Sequence, residues 1–303
     1  MLFELTNLTK TYGRITALDG LNVTAPVGAI GLLGPNGAGK TTMIRSLMGL
    51  IRVDSGAGTV LGHDIRKRPL DVRQVVGFVP EDECLFPGVE GVEFVAYAGE
   101  LSGMARTDAL QRAHEVLDYV GLGEARYRKV ESYSTGMKQR LKIASAVVHD
   151  PKMVILDEPT NGMDPAGRLE VLELARDLSR NKGMSLLFSS HLLTDVEAVC
   201  DHVLVLGRGR LLAEGSLADL TRADRPVFEV RVKGELSPFA ERLAALSCAV
   251  ERRDGSLLVE LPQGRTTTLL WQAAVDANEQ IRMLKPLRNT LEEVFLKALT
   301  ELN

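Results

Sequence analysis

Residues 34–42 read Gly-Pro-Asn-Gly-Ala-Gly-Lys-Thr-Thr and fit the phosphate-binding loop pattern G-x-x-x-x-G-K-[ST]. The glycines let the backbone bend so that successive N–H groups converge on a polyphosphate. Lys40 can reach the β- and γ-phosphates, and the Thr41 hydroxyl can ligate Mg²⁺. The candidate nucleotide-binding positions of this loop are Gly34, Asn36, Gly37, Gly39, Lys40, Thr41 and Thr42. The stretch therefore predicts a nucleoside triphosphate as the ligand.

The residues on either side of this loop supply the context that the motif requires. Ala29–Leu33 is apolar enough to form a buried strand. Residues 42–50 carry apolar side chains at helical spacing, namely Ile44, Leu47, Met48 and Leu50. A strand, a glycine-rich loop and a helix in this order favour a phosphate site over a glycine-rich turn that only joins two elements.

Composition limits the classes of protein that this chain can be. At 303 residues it suits a core of about 200 residues plus an appendage. The net charge of −4 gives no overall basic field, so we expect no nucleic-acid partner. No stretch approaches the roughly 18 apolar residues that cross a bilayer, and the N-terminus lacks a secretion signal, so we expect an unexported protein without spans. Cys84, Cys200 and Cys248 are widely spaced and predict buried thiols, with no metal site.

A second candidate site follows the apolar run at residues 153–156, where Asp157 and Glu158 stand next to each other. In an α/β sheet, ligands bind where strands end at their carboxyl edge. We predict that Asp157 holds Mg²⁺ and that Glu158 polarises or positions an attacking water. The alternative is a helix-capping Asp157 beside a surface Glu158, but Pro159 follows directly and a phosphate loop lies upstream.

Two further candidate phosphate-binding features follow the phosphate loop along the chain. The sequence Tyr-Ser-Thr-Gly-Met at 133–137 precedes a helical pattern, and a helix start opened by Ser134 and Gly136 can bind an anion. By itself it is only a capped helix. His191 follows the apolar strand at 184–188, where it can hydrogen-bond a γ-phosphate, although a lone His at a strand end is usually a polar surface residue.

The phosphate loop, the Ser/Gly helix start, the Asp-Glu pair and the histidine, in this order, closely resemble the ATP-binding cassette family over residues 1–220. The resemblance implies an α/β fold of the P-loop NTPase class, with a RecA-like core, an antiparallel β subdomain and a helical subdomain. It implies ATP and Mg²⁺ as ligands. It also implies that two copies pair head to tail, so that Ser134 and Gly136 serve the nucleotide of the partner copy.

The same resemblance assigns roles to single positions. Tyr12 matches the aromatic residue that stacks on adenine. Asp164 matches the acid in the loop that crosses the dimer interface, and Glu158 and His191 match the catalytic glutamate and the histidine that senses the γ-phosphate. Because both are present, the resemblance implies two competent sites in a homodimer.

The chain departs from the family pattern at two places. Glu81 stands where the family usually has Gln, and its carboxylate could approach Mg²⁺ or a water on that ion. The signature reads YSTGM where LSGGQ is commonest, although Ser134 and Gly136 are retained. Both variants are similar to those of drug, ion and polysaccharide exporters whose ATPase and membrane subunits are separate chains.

Residues 84–150 resemble the helical subdomain of the family, and we predict a helix over 107–120 with Thr107 as N-cap and Leu110, Leu117 and Val120 on one face. The resemblance implies that this region receives a helix of a membrane subunit. We expect residues 81–88, including Glu81, Leu85 and Phe86, to transmit force to the permease. Plain loop packing remains the alternative.

The composition changes at residues 221–226, and we predict a domain boundary there. Residues 227–303 then show the order β-α-β-β-α-β, followed by a helix over 290–302, which predicts a small α+β domain of the ferredoxin-like kind. Without clustered His, Cys or carboxylates, this domain is expected to be regulatory or to stabilise a dimer.

The resulting hypothesis is an ATPase subunit of a membrane exporter that lies peripherally at the cytoplasmic face and moves a separate permease. A soluble cassette ATPase that acts on ribosomes or nucleic acid is the alternative. It is less favoured because ribosome-acting members carry two cassettes and DNA-repair members insert long coiled coils. A GTPase would need N-K-x-D, whereas residues 181–184 read Asn-Lys-Gly-Met.

Overall fold

The computed structural model describes residues 1–221, 227–262, 264–287 and 290–300. They fall into two units: Met1–Leu217 together with the C-terminal stretch that begins at Phe295, and Ala218–Val294. Apart from Thr221, the predicted boundary segment lies outside the described residues. Within these residues, no helix combines the length and the apolar character needed to cross a membrane.

The first unit contains both strands and helices. Its strands are β1 (Phe3–Tyr12), β2 (Ile15–Ala25), β3 (Ala29–Leu33), β4 (Ser55–Val60), β5 (His63–Asp64), β6 (Val76–Val79), β7 (Met153–Asp157), β8 (Ser185–Ser189), β9 (His202–Gly207) and β10 (Arg210–Ser216). Its helices are α1 (Lys40–Leu47), α2 (Pro69–Val75), α3 (Gly91–Leu101), α4 (Arg106–Tyr119), α5 (Thr135–Val147), α6 (Pro165–Arg180) and α7 (Leu193–Val199). A short helix, α8 (Leu217–Leu220), follows β10.

A six-stranded sheet in the order β10-β9-β3-β8-β7-β6 forms the centre of this unit. All its neighbouring strands are parallel except for the β9–β10 pair. Every residue of β3, β7 and β8 is buried, which explains their nearly continuous apolar sequences. The predicted strand Ala29–Leu33 is confirmed, and the carboxyl ends of β3, β7 and β8 share one edge of the sheet.

A four-stranded antiparallel sheet, β2-β1-β4-β5, is joined to the central sheet through one hydrophobic cluster that also contains α1. Met43, Ile44 and Leu47 are the buried face of α1. The prediction that Leu50 belongs to this face is wrong, because α1 ends at Leu47 and Gly49 takes a positive φ of 59°. The cluster fixes α1, and with it the loop that precedes Lys40.

Helices α3, α4 and α5 correspond to the predicted helical region. Here the prediction for α4 is wrong in two respects: Ala105 rather than Thr107 occupies the N-cap position, and Leu110 is 43% exposed. The buried face consists of Ala109, Ala113, Val116, Leu117 and Val120. Small residues are needed on that face because α3 approaches closely: a Cβ on Gly99 would lie 3.0 Å from the Cβ of Ala109. Because α3 packs closely against α4, the small residues Ala109 and Ala113 lie on the buried face and Leu110 does not.

The second unit contains β11 (Val227–Val232), α9 (Leu236–Ala245), β12 (Ala249–Arg253), β13 (Ser256–Glu260), α10 (Thr268–Asp276) and β14 (Ile281–Leu287), and α11 (Leu291–Thr300) follows along the chain. The sheet order is β12-β13-β11-β14 and every neighbouring pair is antiparallel. The predicted β-α-β-β-α-β order is confirmed. The described residues contain no group of three or more His, Cys, Asp or Glu that could hold a metal ion.

Candidate nucleotide-binding site

A cavity of about 690 Å³ is formed by the loops at the carboxyl edge of the central sheet and by the turn between β1 and β2. It is lined by Tyr12, Ile15, Thr16, Ala17, Pro35, Asn36, Gly37, Ala38, Gly39, Lys40, Thr41, Thr42, Glu81, Glu158, Asn161 and His191. Predicted residues from five separate parts of the sequence thus meet around one space of a size suited to a small-molecule ligand.

The phosphate loop has a backbone that a side chain would block at two glycines. Gly39 takes φ +106°, and a Cβ there would lie 2.5 Å from the carbonyl oxygen of Ala17. A Cβ on the buried Gly34 would lie 2.7 Å from the carbonyl oxygen of Leu206. Gly39 occupies the N-cap position of α1, so the unpaired N–H groups of the first helical turn are available to an anion.

Lys40 is buried beside this helix start, where it makes two polar contacts. Its Nζ donates a hydrogen bond of 2.8 Å to the carbonyl oxygen of Gly34 and lies 3.6 Å from Oε1 of Glu158. The ammonium group is therefore held between the loop that would bind phosphate and the predicted catalytic carboxylate.

Glu158 follows β7 with a left-handed backbone at φ +48°, a conformation that is costly for a residue with a side chain. Its N–H donates to the carbonyl oxygen of Ser189, which ties it to the end of β8. Oε2 lies 2.8 Å from Nδ1 of His191 and also accepts the backbone N–H of His191 at 3.3 Å. The geometry fixes one carboxylate oxygen on His191 while the other faces Lys40.

Asp157 is buried at the end of β7, and burial raises the pKa of its carboxyl group. The Ser189 hydroxyl and, to a smaller extent, the Thr41 hydroxyl lower that pKa, whereas the charges of Glu81 and Glu158 raise it further. Among the described residues, Oδ1 of Asp157 has no hydrogen-bond partner. A buried carboxylate oxygen without a partner, next to a hydroxyl, fits the oxygen ligands that Mg²⁺ prefers.

Glu81 lies two residues beyond β6 and lines the same cavity. Its Oε1 accepts a 3.2 Å hydrogen bond from Nδ2 of Asn161. Tyr12, at the end of β1, also lines the cavity, with its ring exposed and the Lys10 ammonium 5.1 Å from the ring centroid. A planar base can lie on such a ring.

The other predicted residues are not among those that line the cavity. Ser134 is the N-cap of α5, where its Oγ accepts the N–H of Met137 at 3.3 Å. Asp164 is exposed at the N-cap position of α6, and Gly136 is half-buried in the first turn of α5. Phe86 is 51% exposed and packs edge-on against Phe94 and Tyr97, whereas Leu85 beside it is half-buried.

Sequence reasoning missed a polar network around a buried aspartate, which includes Thr160, two residues after Glu158. Asp195 on α7 is 0% exposed, and it accepts hydrogen bonds from Thr160 Oγ1 at 2.6 Å and from Arg168 Nε at 2.7 Å. Arg168 also donates to the Thr194 hydroxyl at 2.8 Å. The sequence feature that could have revealed this network is the aspartate among the apolar residues of α7. The roles of Asn161 and of residues 15–17 in lining the cavity were also missed, because only the fold brings them there.

Comparisons with known proteins give consistent matches. The family model described as ABC transporter matches residues 18–161. The chain is 35% identical to the uncharacterized ABC transporter ATP-binding protein YxlF of Bacillus subtilis, over 98% of this chain and 99% of that protein. It is 34% identical to the daunorubicin/doxorubicin resistance ATP-binding protein DrrA of Streptomyces peucetius, over 98% of this chain and 92% of that one.

Among solved structures, one described as the ATP binding subunit of an ABC transporter superposes with a TM-score of 0.65. It is 28% identical, and the match covers 73% of this chain and 92% of the other.

Proposed function

This chain belongs to the ABC transporter family as an ATP-hydrolysing subunit, and from this premise we propose how it works. Two copies close around ATP and reopen after hydrolysis. The motion drives a separate transmembrane permease, with the chain held peripherally at the cytoplasmic face of the membrane. Transport runs in the export direction.

The chemistry follows from the residues around the cavity. The loop amides and Lys40 bind the triphosphate, and the exposed face of Tyr12 receives the adenine. The Thr41 hydroxyl and the Asp157 carboxylate, with Glu81 as a further oxygen donor, would hold Mg²⁺, which supplies charge neutralisation on the β- and γ-phosphates.

Glu158 accepts the proton of the attacking water, and His191 orients Glu158 and contacts the γ-phosphate. The observation that carries this assignment is the placement of the Glu158 carboxylate, 2.8 Å from His191 Nδ1 and 3.6 Å from Lys40 Nζ. A carboxylate fixed in this way beside the phosphate loop is suited to general-base catalysis.

Three of the predicted site residues do not line the cavity, and a homodimer accounts for their position. Ser134, Gly136 and Asp164 lie outside the cavity lining, and the N-terminus of α5 keeps unpaired N–H groups that favour an anion. In the proposed dimer, this helix start contacts the ATP of the partner copy, and Asp164 lies in the loop that crosses the interface.

Export and the permease contact rest on two observations. The relative DrrA is named for drug resistance, which is the expected result of moving a drug out of a cell. The exposed Phe86, with Leu85 beside it, supports residues 81–88 as the contact that transmits force to the permease. Residues 1–220 would form the ATPase domain, with a helical subdomain at about 84–150, and residues 227–303 an accessory domain that regulates or stabilises the dimer.

The variant Glu158→Gln tests the assigned chemistry. The amide keeps the shape but accepts no proton, so we expect steady-state hydrolysis to fall by at least about 100-fold while ATP still binds and an ATP-bound dimer accumulates. Phosphate release and gel filtration with ATP measure the two effects. Glu173→Gln, at an exposed position of α6, is the matched control. Substantial turnover by Glu158→Gln contradicts the role of Glu158.

The direction of transport needs a separate experiment. The chain is purified from membranes with ATP, and the proteins bound to it are identified. A copurifying permease without a soluble substrate-binding companion supports export. A permease with such a companion indicates import and contradicts the proposal.

A further inference from the structure

Lys142 is a buried ammonium group on α5 that the chemistry above does not use. It is 7% exposed, and burial lowers the pKa of its side chain. Its Nζ donates to two consecutive backbone carbonyl oxygens, of Asp82 at 2.9 Å and of Glu81 at 3.4 Å. No ion pair found among the described residues includes Lys142. Its hydrogen bonds are thus directed to the backbone of the segment that carries Glu81.

A second lysine on the same helix holds the next residue of that segment. Lys138 lies one turn before Lys142 and pairs with the carboxylate of Glu83. Residues four apart lie on the same face of a helix, so both lysines point to the segment 81–83. The segment is otherwise exposed, and these contacts attach it to α5.

The attachment determines where the Glu81 carboxylate lies. Lys142 holds the backbone carbonyl of Glu81 on one side, while on the other side the carboxylate reaches the cavity and accepts the Asn161 amide at 3.2 Å. Hydrogen bonds from a charged donor are about twice as strong as neutral ones. The shorter of the two bonds from the buried Lys142, at 2.9 Å, goes to the carbonyl of the adjacent Asp82 and holds the backbone on which Glu81 lies. If Lys142 is removed, the segment loses its buried anchor and the carboxylate can leave the cavity.

We propose that Lys142 is a positioning residue: it holds the Glu81 carboxylate in the nucleotide cavity and makes residues 81–83 move together with α5. This inference rests on the proposed function, in which the start of α5, capped by Ser134, contacts the ATP of the second copy. A shift of Glu81 on ATP binding then displaces the helix that contacts the partner's nucleotide.

The first test compares Lys142→Met with Lys142→Met in a Glu81→Ala background, using the full-length chain. We expect Lys142→Met to lower the kcat for ATP by about tenfold with KM changed less than about twofold, since the loop and Lys40 still bind the triphosphate. In the Glu81→Ala background the same substitution should have no further effect on kcat. Equal reductions in both backgrounds, or an unchanged kcat in Lys142→Met, overturn the proposal.

Lys129→Met is the matched control, because Lys129 Nζ also donates to a backbone carbonyl of this loop, at Gly88, 2.6 Å away. Lys129 is exposed and its contact lies beyond Glu81, so we expect an unchanged kcat. Urea unfolding identifies any variant that is not folded. If Lys142→Met is unfolded, Lys142→Gln, which keeps an N–H donor without the charge, is measured in both backgrounds with the same expectation.

A second readout separates this inference from the proposed function. In a Glu158→Gln background, ATP should produce a dimer in gel filtration, and at saturating ATP Lys142→Met should raise the protein concentration at half-dimerisation by about tenfold. If Glu158→Gln alone forms no dimer, the proposed homodimer fails and so does the link to the second copy. If the dimer forms and Lys142→Met leaves the protein concentration at half-dimerisation unchanged, only the role of Lys142 is overturned.

Discussion

At the scale of single residues, the phosphate loop depends on backbone space as much as on the chemistry of Lys40 and Thr41. Gly34 and Gly39 both lie against carbonyl oxygens of other strands, so neither position has room for a Cβ. Gly37 belongs to the same motif and has a positive φ of 79°, but no atom lies within 4 Å of the place that a Cβ would take. Gly34 and Gly39 are therefore required by a close contact with a carbonyl oxygen, whereas at Gly37 only the positive φ favours glycine.

Replacing Gly39 by Ala should destabilise the first unit more than replacing Gly37 by Ala. Both variants bear the strain of a positive φ, about 1–2 kcal/mol. Gly39→Ala must also push away the start of β2, where the carbonyl oxygen of Ala17 lies, which adds about 1–3 kcal/mol. Urea unfolding of the two variants measures the difference. Equal free energies of unfolding would show that the contact with Ala17 is relieved without cost.

At the scale of secondary-structure elements, Asp54 holds the end of β1, where Tyr12 lies. Its carboxylate accepts the hydroxyl and the backbone N–H of Thr11 at 2.6 Å each, and the Lys10 ammonium at 3.2 Å. The Thr11 hydroxyl and amide lower the pKa of Asp54 to about 2. The position of the Tyr12 ring, which is proposed to bind adenine, therefore depends on an ionised side chain just before β4.

The Asp54→Asn variant should alter how stability depends on pH. The pKa of Asp54 is lower in the folded chain than its unfolded value of 3.8. Ionised Asp54 therefore stabilises the folded state fully above pH 3.8, and this stabilisation is lost as the pH falls through about 2. The difference in unfolding free energy between the wild-type chain and Asp54→Asn should therefore shrink between pH 5 and pH 2. Urea titrations at pH 5, 4, 3 and 2 measure it. A difference that stays constant from pH 5 to pH 2 contradicts this account.

Helices α6 and α7 are joined by the buried carboxylate of Asp195. Arg168 on α6 supplies its counter-charge, and Thr160, two residues after Glu158, binds its other oxygen. Removing the cation leaves a buried charge without compensation, which is costlier than losing an exposed ion pair. The network thus connects the segment after Glu158 to the helix that follows His191.

Arg168→Met should lower the free energy of unfolding by about 2–3 kcal/mol, somewhat below a fully buried pair because water reaches part of the Arg168 side chain. Arg180→Met, at an exposed position of the same helix, should change it by less than about 0.5 kcal/mol. Urea denaturation of both variants provides the comparison. Similar values for the two would show that Asp195 is stabilised without Arg168.

At the scale of the whole molecule, the cavity of one chain holds only part of the proposed site. Lys40, Glu158 and His191 line it, whereas Ser134 and Gly136 do not. If the missing residues come from a second copy, variants that damage opposite halves of the site should complement each other.

Lys40→Ala and Ser134→Arg should each be inactive alone, and an equimolar mixture should regain activity. In a mixed dimer, one site receives both damaged halves and the other receives two intact halves. Random pairing predicts about a quarter of the wild-type ATPase rate if the sites act independently. Phosphate release from the mixture measures the recovery. A mixture as inactive as its components would show that the two halves lie in one chain.

The sequence alone determined the ligand class, the strand Ala29–Leu33 and the order of the second unit, because motif spacing and periodicity are local properties of the chain. It mis-assigned Thr107, Leu50 and Leu110, whose positions depend on where helices end and how closely they pack. The predicted burial of the thiols was wrong for Cys84, which is exposed, and right for Cys200 and Cys248. Only the tertiary structure showed three hydrogen-bonded pairs. The carboxylate of Glu158 contacts the His191 ring, the carboxylate of Asp195 contacts the Arg168 guanidinium, and the ammonium of Lys142 contacts the backbone carbonyl of Glu81. These partners lie 27 to 61 residues apart, so their contacts arise from the packing of separate elements and leave no periodic signal in the sequence.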